Sequence, residues 1–206
     1  MKIIVNAENA MYKDKSSKWK AVHQDIFDTI IDTLHSESPR EKSHSEVVSQ
    51  LCGAMGAVLN MTDTEVSQLK RVGYLHDIGK IALNRKLLSK DILNEEEKVL
   101  AQQHVIIGYR ILNLFDNTLD LAEYVYYHHE NWDGTGYPKG LIGDEIPQIS
   151  RIISIAETYE RACSSEAAFK TEKESIERAL QVIKQGAGKK FDPRMAQLFL
   201  EMMEGK

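Results

Sequence analysis

Residues Thr62–Lys80 read TDTEVSQLKRVGYLHDIGK. Thr62 followed three positions later by Glu65 fits a capping box, in which each side chain takes up a backbone N–H left free at a helix start. Val66, Leu69 and Val72 then recur at helical spacing and mark one buried face. The stretch predicts a helix running into His76 and Asp77, with Gly79 as its terminator. Neighbouring side chains on a helix diverge by about 100°. An adjacent His–Asp pair at a helix end can therefore approach one cation from two sides or reach two cations.

Working outward, the same punctuation recurs along the chain. Ala21 to Leu34 puts Ile26, Phe27, Ile30, Ile31 and Leu34 on one stripe, and a second helix from about Glu41 carries Val47, Val48, Leu51, Met55 and Leu59 inward. Asn94 with Glu97 opens a helix toward His104, with further apolar periodicity from Ile106 to Phe115. Leu119 to His129 is expected to be helical, as is Pro147 to Cys163 with Ile149, Ile152, Ile153 and Ala156 on its apolar face. Thr171 and Glu174 form another capping box, Gly186 to Gly188 closes that helix, and Asp192 with Pro193 starts a last one reaching Met203. Strand-like alternation is scarce, so the expected class is all-α. Asn131 to Pro147 is the one long loop rich in glycine and proline, a composition that marks either disorder or a shaped functional loop.

The 206 residues suffice for one substantial core, with or without an appendage. A formal charge of -5 argues against a surface that tracks long nucleic acid, but a small anion can still be held by local charge or by metal ions. Cys52 and Cys163 lie far apart with no secretory leader before them, which points to a reducing cytoplasm rather than a disulfide framework. The apolar run in MKIIVNA is too short for a signal peptide, and no stretch is long enough to span a membrane. Membrane contact would have to come from a part absent from this chain.

Seven histidines occur: His23, His35, His44, His76, His104, His128 and His129. A lone helical histidine is more often a surface or core residue than a ligand, and His23 and His35 are assigned to that class. The pairs His76–Asp77 and His128–His129 sit at helix ends facing loops. A carboxylate there can bridge two cations while imidazoles fill outer positions, a mixed N and O set suited to Fe, Mn, Zn or Ni rather than Mg or Ca.

HDIGK at His76 to Lys80, HVIIG at His104 to Gly108, HHENWDGTGYPKGL at His128 to Leu141, IPQISRI at Ile146 to Ile152 and FDP at Phe191 to Pro193 together closely resemble the HD-GYP family. The resemblance covers roughly residues 35 to 200. It implies an all-α HD-domain bundle with extra C-terminal helices and a GYP loop, within the HD metal-dependent phosphohydrolase superfamily. The implied activity is hydrolysis of the bacterial second messenger cyclic di-GMP to linear pGpG or GMP. By the same resemblance His44 is the first metal ligand, His76 and Asp77 are the HD pair with Asp77 bridging, and His104, His128 and His129 serve the second metal. Glu157 stands where the family has an aspartate. Lys80 matches a lysine that contacts the scissile phosphate, Tyr137 a ligand-contacting or loop-packing residue, and Glu130 and Asp133 groups that orient the imidazoles and the loop. Two divalent ions, Fe or Mn ahead of Zn or Ni, are implied. The expected nucleophile is a hydroxide bridging them, because metal binding lowers the pKa of water. Some members hold a third metal through a glutamate at the position of Arg40, whose charge here favours two.

The departures concern substrate. Where the family runs DVFDALTS.RPYR, this chain has ETYERACSSEAAFK from Glu157 to Lys170; Glu166 and Phe169 replace arginines, and Lys170 alone keeps a charge for substrate. Three readings follow: a cyclic di-GMP phosphodiesterase, a phosphodiesterase for a related cyclic dinucleotide such as cyclic GMP-AMP, or a degenerate module that binds nucleotide or partner without turnover. NAENAMYKDKSSKW at Asn6 to Trp19 resembles the end of a GGDEF domain. The expected organisation is thus 1–20 as the tail of a preceding GGDEF-type signalling domain or a linker helix, and 21–206 as the HD-GYP domain.

Overall fold

The structure, a computed structural model, describes residues 21–88, 90, 92–164 and 171–205. The segment expected to end a GGDEF domain, and Glu166, Phe169 and Lys170, lie outside the described residues. Among the described residues there is no β-strand, in agreement with the all-α expectation. Helix α1 is described over 21–37. It is followed by α2 (Pro39–Val58), α3 (Asp63–Leu75), a 3-10 turn (Ile78–Ala82), α4 (Arg85–Leu88), α5 (Glu95–Leu112) and α6 (Leu119–Tyr126). After the loop come a 3-10 turn (Gly143–Glu145), α7 (Gln148–Ser164), α8 (Glu172–Gly186) and α9 (Pro193–Glu204).

The helix starts follow the local chemistry. Reciprocal capping boxes form at Thr62/Glu65, Asn94/Glu97 and Thr171/Glu174. Ser38 accepts from the Glu41 N–H ahead of α2, and Asp192 caps α9 with Pro193 at its first position. The core joins Val48, Leu51 and Met55 of α2 to Leu69 and Val72 of α3, Ile152, Ile153 and Ala156 of α7, and Phe199 of α9. Two expected inward residues face out instead: Ile26 and Val47 are exposed. Each sits beside a buried neighbour, Phe27 or Val48, and at about 100° per residue a narrow contact face takes only one of such a pair.

Two helix ends also differ from expectation, and both differences matter. Helix α3 stops at Leu75, and Gly79 is no terminator but lies inside the 3-10 turn that follows. A Cβ on Gly79 would come 1.9 Å from the His104 carbonyl oxygen and 2.5 Å from the Gly108 nitrogen. Glycine is required there because the turn after the His–Asp pair rides directly on the backbone of α5. Helix α6 ends at Tyr126, two residues short of the histidine pair, so His128 and His129 project from a turn rather than from a helix face. No described helix is long and apolar enough to cross a membrane.

Candidate metal centre

Helices α2, α3, α5 and α7 and the turn after α6 converge on one buried cluster. Two sets of potential ligands form there, His44, His76, Asp77 and Glu157 on one side and Asp77, His104, His128 and His129 on the other, with the ligand atoms of each set within 4.8 Å of one another. Asp77 belongs to both. Its Oδ2 lies 3.1 Å from His76 Nε2 and 3.5 Å from His44 Nε2, while Oδ1 lies 3.3 Å from His104 Nε2. One carboxylate oxygen thus faces each set, the disposition a bridging ligand needs. All seven residues expected to bind metal are brought together.

The imidazoles are oriented mainly by the main chain. The Nδ1 atoms of His76, His104 and His128 lie 2.7, 2.6 and 2.6 Å from the carbonyl oxygens of Gly73, Ala101 and Val125, each three residues back. A carbonyl can only accept, so each Nδ1 carries a proton and donates it. A neutral ring then presents an unprotonated Nε2, the form that binds a metal. Those Nε2 atoms crowd together, with 3.1 Å between His44 and His76, 3.4 Å between His104 and His128 and 3.2 Å between His129 and His104. The lone pairs crowded among His104, His128 and His129 are relieved by a shared cation.

Charge and burial agree with that reading. Burial drives the His128 pKa down to about 3 and lowers those of His104 and His129, so these rings stay neutral. Burial opposes protonation of His44 as well, but its hydrogen bonds to Asp77 and Glu160 prevail and carry its pKa up to about 9. Asp77 and Glu157 remain ionised despite burial. Lys80 and the neighbouring histidines hold Asp77 well below the usual carboxylate range, and His129 and Arg161 do the same for Glu157. Asp77 Oδ1 is a buried acceptor with no hydrogen-bond donor. A buried charged oxygen without a partner is costly, and a cation would supply that partner. The donor set, the tautomers and this orphaned oxygen fit divalent metal.

The remaining expected residues divide. Lys80 is buried, its Nζ 2.6 Å from Asp77 Oδ2 and 2.8 Å from Glu41 Oε2, so it belongs to the cluster rather than to solvent. Tyr137 stacks on the His129 ring with centroids 4.8 Å apart. Glu130 accepts from the backbone N–H groups of Lys139, Gly140 and Leu141 at 2.7, 3.2 and 3.0 Å and so pins the loop. Asp133 is exposed; its carboxylate accepts from the N–H and hydroxyl of Thr135, and its backbone N–H donates to the Lys189 carbonyl. His23 packs edge-on against Phe115 and His35 against Tyr74, well apart from the cluster.

Sequence reasoning missed four participants. Glu160 takes the Nδ1 proton of His44 in a short contact, Glu41 holds Lys80, and Arg161 reaches Asp77 and Glu157. The fourth is a clasp outside the cluster. Arg151 and Arg194 both bond Asp144 and Asp192 and both lie over the Trp132 ring, at 5.5 and 5.6 Å. It ties the loop to α7 and α9. The helical spacing of Glu157, Glu160 and Arg161 is the local signal for Glu160 and Arg161, and it says nothing of Glu41, which comes from α2.

Known proteins resemble this chain in sequence and fold. A family model described as HD domain matches residues 28–195. A protein of Thermotoga maritima named cyclic di-GMP phosphodiesterase is 37% identical over 162 residues, covering 77% of this chain and 44% of that protein. The 3'3'-cGAMP-specific phosphodiesterase 2 of Vibrio cholerae is 31% identical over 84% of this chain and 33% of its own length. The chain thus spans less than half the length of these curated relatives. Among solved structures, the HDG"Y"P protein Bd1817 of Bdellovibrio bacteriovorus superposes with a TM-score of 0.63 at 24% identity, over 80% of this chain and 53% of that one. The HD domain of the phosphodiesterase PgpH of L. monocytogenes, solved with cyclic-di-AMP, gives 0.58 at 16% identity, over 86% and 94% of the two chains. At such identities these two speak for the fold.

Proposed function

Since this chain belongs to the HD domain family, we propose that it is a metal-dependent phosphodiesterase that opens cyclic di-GMP to linear pGpG or on to GMP. The observation that carries the reading is the pair of buried ligand sets sharing Asp77. The relatives named as phosphodiesterases of cyclic dinucleotides support the substrate class. Two divalent ions, Fe or Mn ahead of Zn or Ni, would be held by His44, His76, Asp77 and Glu157 and by Asp77, His104, His128 and His129. When bound they would supply a water of lowered pKa and positive charge for the phosphate oxygens.

The protein's own groups do the rest. Main-chain carbonyls hold His76, His104 and His128 in the tautomer that leaves Nε2 free. Lys80, already within the cluster, offers a point charge to a phosphate oxygen. Tyr137 roofs His129 and limits the approach of bulk water from that side. Glu157 reaches the His44 set with one methylene more than an aspartate, its carboxylate buried and steadied by Arg161. In the hydrolysis, the water oxygen bonds to phosphorus as the ribose 3' oxygen leaves and takes up a proton.

The test is turnover by protein prepared without oxygen and loaded with Mn or ferrous iron. Linear product should form and should disappear with Asp77→Asn. Intact cyclic di-GMP would sink this substrate. The relatives named as cGAMP phosphodiesterases favour a second reading, in which cyclic GMP-AMP is preferred; competition between the two nucleotides separates them. We further propose that 21–206 is the catalytic domain of a larger cytoplasmic signalling protein in which 1–20 closes a preceding GGDEF-type domain. The greater length of the relatives supports a larger protein.

A further inference from the structure

Arg161 sits one helical turn beyond Glu157 on α7 and has a divided environment. Its Nε lies 2.8 Å from Glu157 Oε1 and its Nη2 3.2 Å from Asp77 Oδ2, yet 47% of the side chain is exposed while those two carboxylates are 5% and 1% exposed. The side chain therefore touches the buried ligands while nearly half of it meets solvent. Lys80, the other cation on Asp77, is buried at 9% side-chain exposure and is also held by Glu41. Among the described residues, the ion pairs of Arg161 are to two groups that divalent cations would claim.

From this geometry we infer that Arg161 is a substrate-binding residue, which exchanges Asp77 and Glu157 for the phosphate of the incoming phosphodiester once the metals are in place. The inference rests on the phosphodiesterase reading above. Cations on Asp77 and Glu157 neutralise both partners of the guanidinium and repel it. Nearly half of its side chain meets solvent, the medium from which an anion would arrive. A guanidinium fork matches two phosphate oxygens at once, which an ammonium cannot do. The arginine also stands in the segment whose downstream positions hold Glu166 and Phe169, so it would restore from within α7 a phosphate contact that those residues cannot make.

The test compares wild type, Arg161→Ala and Arg161→Lys, each loaded with Mn. Three quantities are read: metal content, affinity for a phosphorothioate analogue of cyclic di-GMP, and KM against kcat for bis(p-nitrophenyl) phosphate. Arg161→Ala should keep its metal, bind the analogue roughly 10- to 100-fold more weakly and raise KM for the model diester. Arg161→Lys should fall between. Unchanged affinity and KM with metal retained would overturn the inference, as would loss of metal, which would make Arg161 a support for the ligands. A wild type that cleaves the model diester but neither binds nor opens cyclic di-GMP would refute the substrate reading alone, and the KM comparison would still decide the role of Arg161.

Discussion

Asp77 and His44 show how much of this centre is settled one residue at a time. His44 stands apart from the other imidazoles because a carboxylate, Glu160, holds its Nδ1 where carbonyls hold those of His76, His104 and His128. Replacing Glu160 by Gln keeps the shape but weakens the grip on the ring, and should cost roughly 10- to 100-fold in metal affinity on the His44 side. Metal titration followed by elemental analysis would show it; undiminished affinity would remove Glu160 from the site. Protons should report the same asymmetry. With a pKa of about 9, His44 is charged near neutral pH in the metal-free protein, whereas His128 at about 3 is neutral. Filling the His44 side should therefore release about one proton and filling the other side almost none. Uptake on the His44 side should strengthen as pH rises toward about 9, because less protonated His44 then competes with the metal. Calorimetry in buffers of different ionisation enthalpy resolves the two steps, and equal proton release from both would contradict the assignment.

Among the elements, the 3-10 turn after α3 is the joint that brings the two ligand sets together. Gly79 and Gly108 let it lie against α5, and that contact carries Asp77 to His104. A methyl group on Gly79 has backbone as its nearest neighbours, so no side chain can yield. Gly79→Ala should destabilise the fold by about 3 kcal/mol and loosen metal binding on the His104 side together with it. Denaturant unfolding measures the first effect, and wild-type stability would show that the turn can move away freely. The glycine was visible in the sequence but was read as a helix stop. A local pattern shows that a small residue is needed without showing whether curvature or a close neighbour demands it.

For the molecule as a whole, the ligands come from α2, the end of α3, α5, the turn after α6 and α7, so an ion in either set ties three parts of the chain together and a pair of ions ties five. Metal at about 100 times its dissociation constant should add about 2.7 kcal/mol. For a domain of this size, removal by chelator should lower the melting temperature by roughly 5 to 10 °C. A melting curve indifferent to chelator would mean that the cluster binds no ion tightly.

This scale also explains what could be read from the chain alone. The capping boxes and the His, His-Asp and His-His ligands were legible because each is a short pattern with a fixed local meaning. Glu41, Glu160 and the clasp of Arg151 and Arg194 were not, because an acidic or basic residue on a helix declares a partner only when another helix arrives beside it. Glu160 lies 116 positions from His44 and Asp192 lies 41 from Arg151.

The clasp around Trp132 makes the loop optically readable. The chain has two tryptophans, Trp19 and Trp132, so Trp19→Phe leaves a single indole, held under two guanidinium groups, on a residue whose backbone N–H donates to the Lys190 carbonyl and whose backbone carbonyl accepts from the Gly143 N–H. Its emission colour and intensity depend on those charges and on its wetness. Loading metal and then a phosphodiester into this variant should shift the emission if the loop adjusts to either, and a spectrum that stays fixed while both bind would describe a wall that does not move.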